Sequence, residues 1–137
     1  MKSRWIPCGV LIVLPTLLIG CGGARHVAGG TTGTLHAGSV LLGDIQVTVH
    51  RVTGATAEVV GIGITQASGH FELVLPGAKG PLHLTPGEYR ITVESVGPVP
   101  LRFPKEYASA EKTPLLVKWT DDNTQLDLEV PPPIASR

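Results

Sequence analysis

Gly43-Asp44-Ile45-Gln46-Val47-Thr48-Val49-His50 decides how the rest of the chain is read. In an extended chain side chains alternate between two faces, so Ile45, Val47 and Val49 share one side and Gln46, Thr48 and His50 the other. A two-residue period with β-branched residues on the apolar side describes a strand with one buried face and one in water. The period recurs on both sides of this stretch. Residues 31–36 carry Leu35, and residues 58–65 are expected to turn Val60, Ile62 and Ile64 inward, with Gly61 and Gly63 on the opposite face. Residues 70–75 set Phe71, Leu73 and Leu75 against His70 and Glu72, and residues 88–95 set Tyr89, Ile91 and Val93 against Arg90, Thr92 and Glu94. Residues 115–119 offer Leu115, Val117 and Trp119 opposite Leu116 and Lys118; residues 125–130 offer Leu126, Leu128 and Val130 opposite Gln125, Asp127 and Glu129. No helical stripe of useful length follows Thr31. Strands with one apolar face each hide it by packing sheet on sheet, so the expected fold is an all-β, seven-stranded β-sandwich.

Turn chemistry agrees with this division. Ser68-Gly69 sits between two alternating segments, where a tight hairpin is expected. Pro76-Gly77 and Pro86-Gly87 are turn dipeptides, and Asp121-Asp122-Asn123 suits a turn between the last two strands. Gly61-Ile62-Gly63 lacks the following helix that a phosphate loop needs; glycines inside a strand instead let a neighbour approach closely.

The 137 residues hold 11 Lys+Arg and 11 Asp+Glu, and this balance leaves no basic excess for a nucleic-acid partner. Aromatics make up 4 %, too few for a generous stacking platform.

The first residues read differently. Lys2 and Arg4 precede an apolar run from Ile6 to Ile19, which is shorter than the ~20 residues a membrane-spanning helix needs and is interrupted by Pro7 and Pro15. This is the pattern of a secretory signal. Leu18-Ile19-Gly20-Cys21 resembles the lipobox of bacterial lipoproteins, in which the cysteine is lipidated and becomes the first residue of the mature chain. The expected organisation is a signal peptide over 1–20, lipidated Cys21 with a glycine-rich flexible tether to residue 30, a sandwich domain over 31–130, and a disordered tail over 131–137. Cys8 would leave with the signal and Cys21 would carry lipid, so no thiol remains for a disulfide, a metal or a nucleophile. Each buried CH₂ of the lipid contributes ~0.8 kcal/mol, and several acyl chains anchor durably. Loss of the signal takes away Lys2 and Arg4 and no acid, leaving nine basic and eleven acidic residues. Gly22 stands where many inner-membrane lipoproteins have Asp, and the resemblance thus implies the outer membrane, on its periplasmic or surface face.

Two further resemblances overlap the domain. Gly33-Thr34-Leu35 with Gly43–Val49, the hairpin Gly63–Leu73, and Pro86-Gly87-Glu88-Tyr89-Arg90-Ile91-Thr92-Val93 are similar to carboxypeptidase regulatory-like domains, whose sandwich is transthyretin-like. The hairpin departs from that family at Gln66, where its pattern has Asp. Phe103-Pro104-Lys105-Glu106-Tyr107 followed by Thr113-Pro114-Leu115 resembles a segment of small bacterial lipoproteins. The resemblance implies a transthyretin-like or Ig-like sandwich used for folding, adhesion or interaction.

Chemistry-bearing patterns are sparse. None of His26, His36, His50, His70 and His83 begins a metallopeptidase spacing, and no G-x-S-x-G elbow occurs. A transthyretin-like hydrolase would carry a closing Tyr-Arg-Gly-Ser, where this sequence shows Pro131-Pro132-Pro133-Ile134-Ala135-Ser136-Arg137. His50 and His70 on outward faces are weighed as a zinc pair and Asp121, Asp122 and Asn123 as calcium ligands; solvated strand and turn residues explain both more simply. No catalytic residue, metal or cofactor is therefore expected. The proline-rich segment 96–114 reads as a crossover loop. Its Leu101, Phe103 and Tyr107 either cover an open end of the sandwich or bind an envelope partner. The functional expectation is a non-enzymatic, lipid-anchored interaction or structural module, with a small-ligand or glycan-binding lipoprotein as the alternative.

Overall fold

A computed structural model describes residues 27–135; the expected signal peptide, Cys21 and the first part of the expected tether lie outside the described residues. Among those described, ten strands form: β1 (Thr32–Ala37), β2 (Val40–Leu41), β3 (Ile45–Thr53), β4 (Thr56–Ile64), β5 (His70–Glu72), β6 (Gly87–Ser95), β7 (Leu101–Arg102), β8 (Leu116–Trp119), β9 (Gln125–Glu129) and β10 (Ile134–Ala135). No α-helix occurs in this stretch, only short 3-10 turns at Pro76–Ala78 and Lys105–Ala108.

The alternation read from Ile45 onward governs one sheet, with strand order β4-β3-β6-β8 and every pairing antiparallel. Its inward residues Ile45, Val47, Val49 and Ile91 are fully buried, and Tyr89, Val93 and Trp119 nearly so. The second sheet is built around β1, which pairs antiparallel with β2 and β5 along one side and parallel with β9 along the other. Its inward Leu35, Phe71, Leu126 and Leu128 join the residues of the first sheet in a single core. Two sheets sharing one apolar interior make this an all-β domain of β-sandwich type.

Four details correct the sequence reading. Gly61 and Gly63, not Ile62 and Ile64, face the core. They pair with the inward Val49 and Val47, and residues directly opposite in an antiparallel ladder share a face. The register shifts between Val49 and His50, so Val60 is the extra residue of a bulge and the face of β4 changes there. A Cβ at Gly61 would strike the Leu82 side chain, and one at Gly63 would lie 3.0 Å from both the Phe71 ring and the Glu72 carbonyl. Ile64 is left 54 % exposed.

The second correction concerns residues 66–75. The turn forms, with Gly69 N–H donating to the Gln66 carbonyl at 2.8 Å and Gly69 at φ 73°. Beyond it the strands part: Ile62 and Val74 make one bridge, while β5 pairs with β1. Leu75, expected inside, is 37 % exposed because the chain turns away at Pro76.

Gly29 and Gly30 belong to the domain rather than to the expected tether. Gly29 N–H donates to the Glu72 carboxylate at 3.1 Å, and Gly30 is buried with no room for a Cβ beside the Leu73 carbonyl. At the other end, the expected disordered tail contains β10, paired antiparallel with β7. Pro131-Pro132-Pro133 restricts φ at three successive residues, which lowers the entropy lost in bringing Ile134 to Arg102.

Candidate functional site

The loop after β6 is set by backbone bonds near its start. Val96 N–H donates to the Asp44 carbonyl at 2.9 Å, and Leu101 N–H donates to Ser95 Oγ at 3.0 Å. Gly97 lies so close to Asp44 that a Cβ there would be 2.6 Å from the Asp44 Cβ. Prolines at 98, 100 and 104 then fix φ and remove backbone donors in a segment that bends at residues 97–99. Leu101, Phe103 and Tyr107 are all half-buried and pack against the core. The apolar surface this loop gives to water belongs instead to Val96 and Val99, 47 % and 66 % exposed. Sequence reasoning passed over these two valines, although their flanking glycine and prolines were a signal that they stand outside any ladder.

Behind the loop, the segment 109–115 closes along β6. Arg90 Nη1 donates to the Ala110 carbonyl at 3.2 Å, and the buried Thr113 hydroxyl donates to the Ile91 carbonyl at 2.6 Å. The Thr113-Pro114-Leu115 motif thus acts as an edge clamp: Ile91 N–H donates in turn to the Leu115 carbonyl at 2.9 Å.

A groove of about 270 Å³ opens where β3, β6 and β8 meet, lined among others by Val52, Glu88, Arg90, Leu116 and Lys118. Glu88 and Lys118 are cross-strand partners of opposite charge, and Arg90 is the partner of Leu116, which is 68 % exposed. The volume lies below the ~300–1,000 Å³ of ordinary small-molecule pockets. It suits a small charged group or the tip of a side chain. Nearby, Arg51 stands 5.9 Å from the Tyr89 ring centroid, and the Tyr89 hydroxyl donates to the Thr85 carbonyl at 2.7 Å.

His50 and His70 are not brought together. His50 is on β3, its Nε2 3.0 Å from Thr92 Oγ1, and burial holds its pKa below the ordinary value. His70 is on β5 in the other sheet. Among the described residues no group of three or more His, Cys, Asp or Glu side chains is arranged to hold a metal ion. Asn123 instead closes the turn at 120–123, its Oδ1 accepting from Thr120 N–H at 2.8 Å and lying 3.0 Å from the Thr120 hydroxyl. His36, on β1, has its Nδ1 2.9 Å from the Gly38 carbonyl and its Nε2 2.9 Å from Asp127 Oδ1.

No protein-family model matches the chain, and no curated protein sequence matches it. Among solved structures, a 9R-lipoxygenase from Cyanothece PCC8801 is similar with a TM-score of 0.40 and 19 % sequence identity. The match covers 80 % of this chain and 18 % of the lipoxygenase.

Proposed function

We propose that this chain is a lipid-anchored envelope protein whose β-sandwich serves as a non-enzymatic interaction or structural module. The reading rests on Leu18-Ile19-Gly20-Cys21, a lipobox-like sequence at the end of a charged and then apolar run, followed by glycine-rich sequence and an all-β domain. In this reading Cys21 carries the lipid and the domain stands off the outer membrane. The transthyretin-like family resemblance over residues 31–95 supports a module that acts by contact. The loop at 96–104, with Val96 and Val99 exposed above the half-buried Leu101, Phe103 and Tyr107, is the surface offered to an envelope partner.

Metabolic labelling with an alkyne-bearing fatty acid tests the anchor. Label on the wild type, absent from Cys21→Ser, supports it; an unlabelled mature chain that partitions into the aqueous phase overturns it. In-cell crosslinking from Val99 tests the contact, which is supported when one recurrent partner is captured and that capture disappears in Val99→Ser with unchanged melting.

A second reading, small-ligand or glycan binding, is favoured by the groove at Val52, Glu88, Arg90, Leu116 and Lys118. Binding on a glycan array that is lost in Arg90→Gln would move it ahead of the first.

A further inference from the structure

His36 points outward from β1 between two oxygens. Its Nδ1 lies 2.9 Å from the Gly38 carbonyl and its Nε2 2.9 Å from Asp127 Oδ1, both ordinary hydrogen-bond distances. A carbonyl oxygen and an ionised carboxylate can only accept. Each contact therefore needs an N–H on its own ring nitrogen. A neutral imidazole has one N–H, so one contact would set a nitrogen lone pair against an oxygen. Only the imidazolium makes both bonds.

We propose that His36 is a proton-operated clasp: as imidazolium it ties Asp127 of β9 to β1 and to the turn at Gly38, and it loosens this hold on β9 when it loses its proton. The surrounding charges favour this. The bond to Gly38 is the largest influence holding the His36 pKa above its ordinary value; the bond and charge of Asp127 and the charge of Glu129 act in the same sense, and desolvation opposes them. Glu129 is the register partner of His36 on β9. From β5, on the other side of β1, come His70 and Glu72, paired with Thr34 and Thr32; β2 brings no titratable group.

Which bond opens follows from the two acceptors. Gly38 belongs to the tight connection between β1 and β2, at φ 60°, and its carbonyl is held two residues from the ring. The Asp127 side chain is 74 % exposed and is free to turn into water. The neutral ring keeps its proton on Nδ1 for Gly38 and lets Asp127 go. The effect lands on the parallel pairing that joins the start of the domain, next to the tether, to its last long strand.

Ring ¹⁵N spectra of the full chain across pH, with the urea-unfolded chain as reference, test the clasp. The titration midpoint of His36 is expected above that of the unfolded chain, with the neutral ring in the Nδ1–H tautomer. Asp127→Asn is expected to lower the midpoint, and Glu129→Gln to lower it by less. Amide exchange at residues 126–129, corrected for its intrinsic pH dependence, is expected to speed up over the same interval in the wild type and not in Asp127→Asn. A midpoint at or below the unfolded one, a neutral Nε2–H tautomer, or a midpoint indifferent to Asp127→Asn would overturn the proposal. Asp127 is outside the core, so the variant keeps its fold.

Discussion

The two sheets share a core but close in different ways. In the sheet β4-β3-β6-β8 all neighbours run antiparallel, and β3 and β4 are joined by the short turn at 54–55. In the β1 sheet the longest pairing is parallel, and across it the side chains of His36 and Asp127, 91 positions apart, come into contact. Parallel pairs are slightly weaker per residue, while loop closure cost grows only with the logarithm of length. The β1–β9 pair therefore depends on what surrounds it: Leu35, Leu126 and Leu128 below, and His36 with Asp127 above. The outward histidines differ accordingly. His36 gains two acceptors and its pKa rises, whereas His50 is half-buried beside Thr92 and its pKa falls.

Removing what the sheets have in common should have the largest effect. Phe71 is 1 % exposed, and its ring lies against both Gly33 of β1 and Gly63 of β4. Phe71→Ala is expected to cost about 3–5 kcal/mol in chemical denaturation, with both sheets lost in one transition. Separate transitions by strand-specific probes would show that the sheets are independent.

Gly61→Ala adds its Cβ on β4, in the antiparallel sheet. The new Cβ meets Leu82 and sits 2.9 Å from the Val74 carbonyl, an overpacking expected to cost about 1–3 kcal/mol. Hydrogen exchange should loosen β4 well before β9; equal loosening in both would refute the contrast. A smaller loss, about 1 kcal/mol, is expected for Asn123→Ala, which removes the acceptor for Thr120 in the turn that carries the chain from β8 to β9.

The smallest effects are those of pH, and they carry opposite signs. A raised folded pKa means that the His36 contribution is fully present below the unfolded value, about 6.5, and is lost as pH rises through the folded one. A lowered folded pKa means that the His50 contribution is present above the unfolded value and is lost as pH falls through the folded one. The stability difference between wild type and Asp127→Asn should thus fade with rising pH. That between wild type and His50→Gln should shift in favour of the wild type over the same range. Parallel pH profiles for the two variants would remove the distinction between the faces.

Much of the candidate surface was legible in the chain, though not its exposure. The proline spacing at 98, 100 and 104 marked the crossover loop, and Leu101, Phe103 and Tyr107 were recognisable as its apolar residues. Burial separates these three, which pack on the core, from Val96 and Val99, which do not. Alternation says nothing about a loop, because a loop has no repeating face. The groove at Glu88 and Lys118 was equally invisible, since it exists only where β6 and β8 lie side by side.

What the sequence by itself determined was local: the positions of the seven strands longer than two residues, though not of the short β2, β7 and β10 that bring the total to ten, the inward sides of β1, β3, β6, β8 and β9, the turns at Gly69 and Asn123, and the absence of α-helix among the described residues. These follow from side-chain periodicity and backbone preferences, which act over a few residues. Only the tertiary structure decided which strands became neighbours, that Gly61 and Gly63 face inward across a bulge, that β1 takes β9 as a parallel partner, and that β10 folds back onto β7. Each of these turns on contact between segments distant in sequence, where the outcome depends on shared burial and on the space left for a Cβ, and a period of two is the same whichever partner a strand finds.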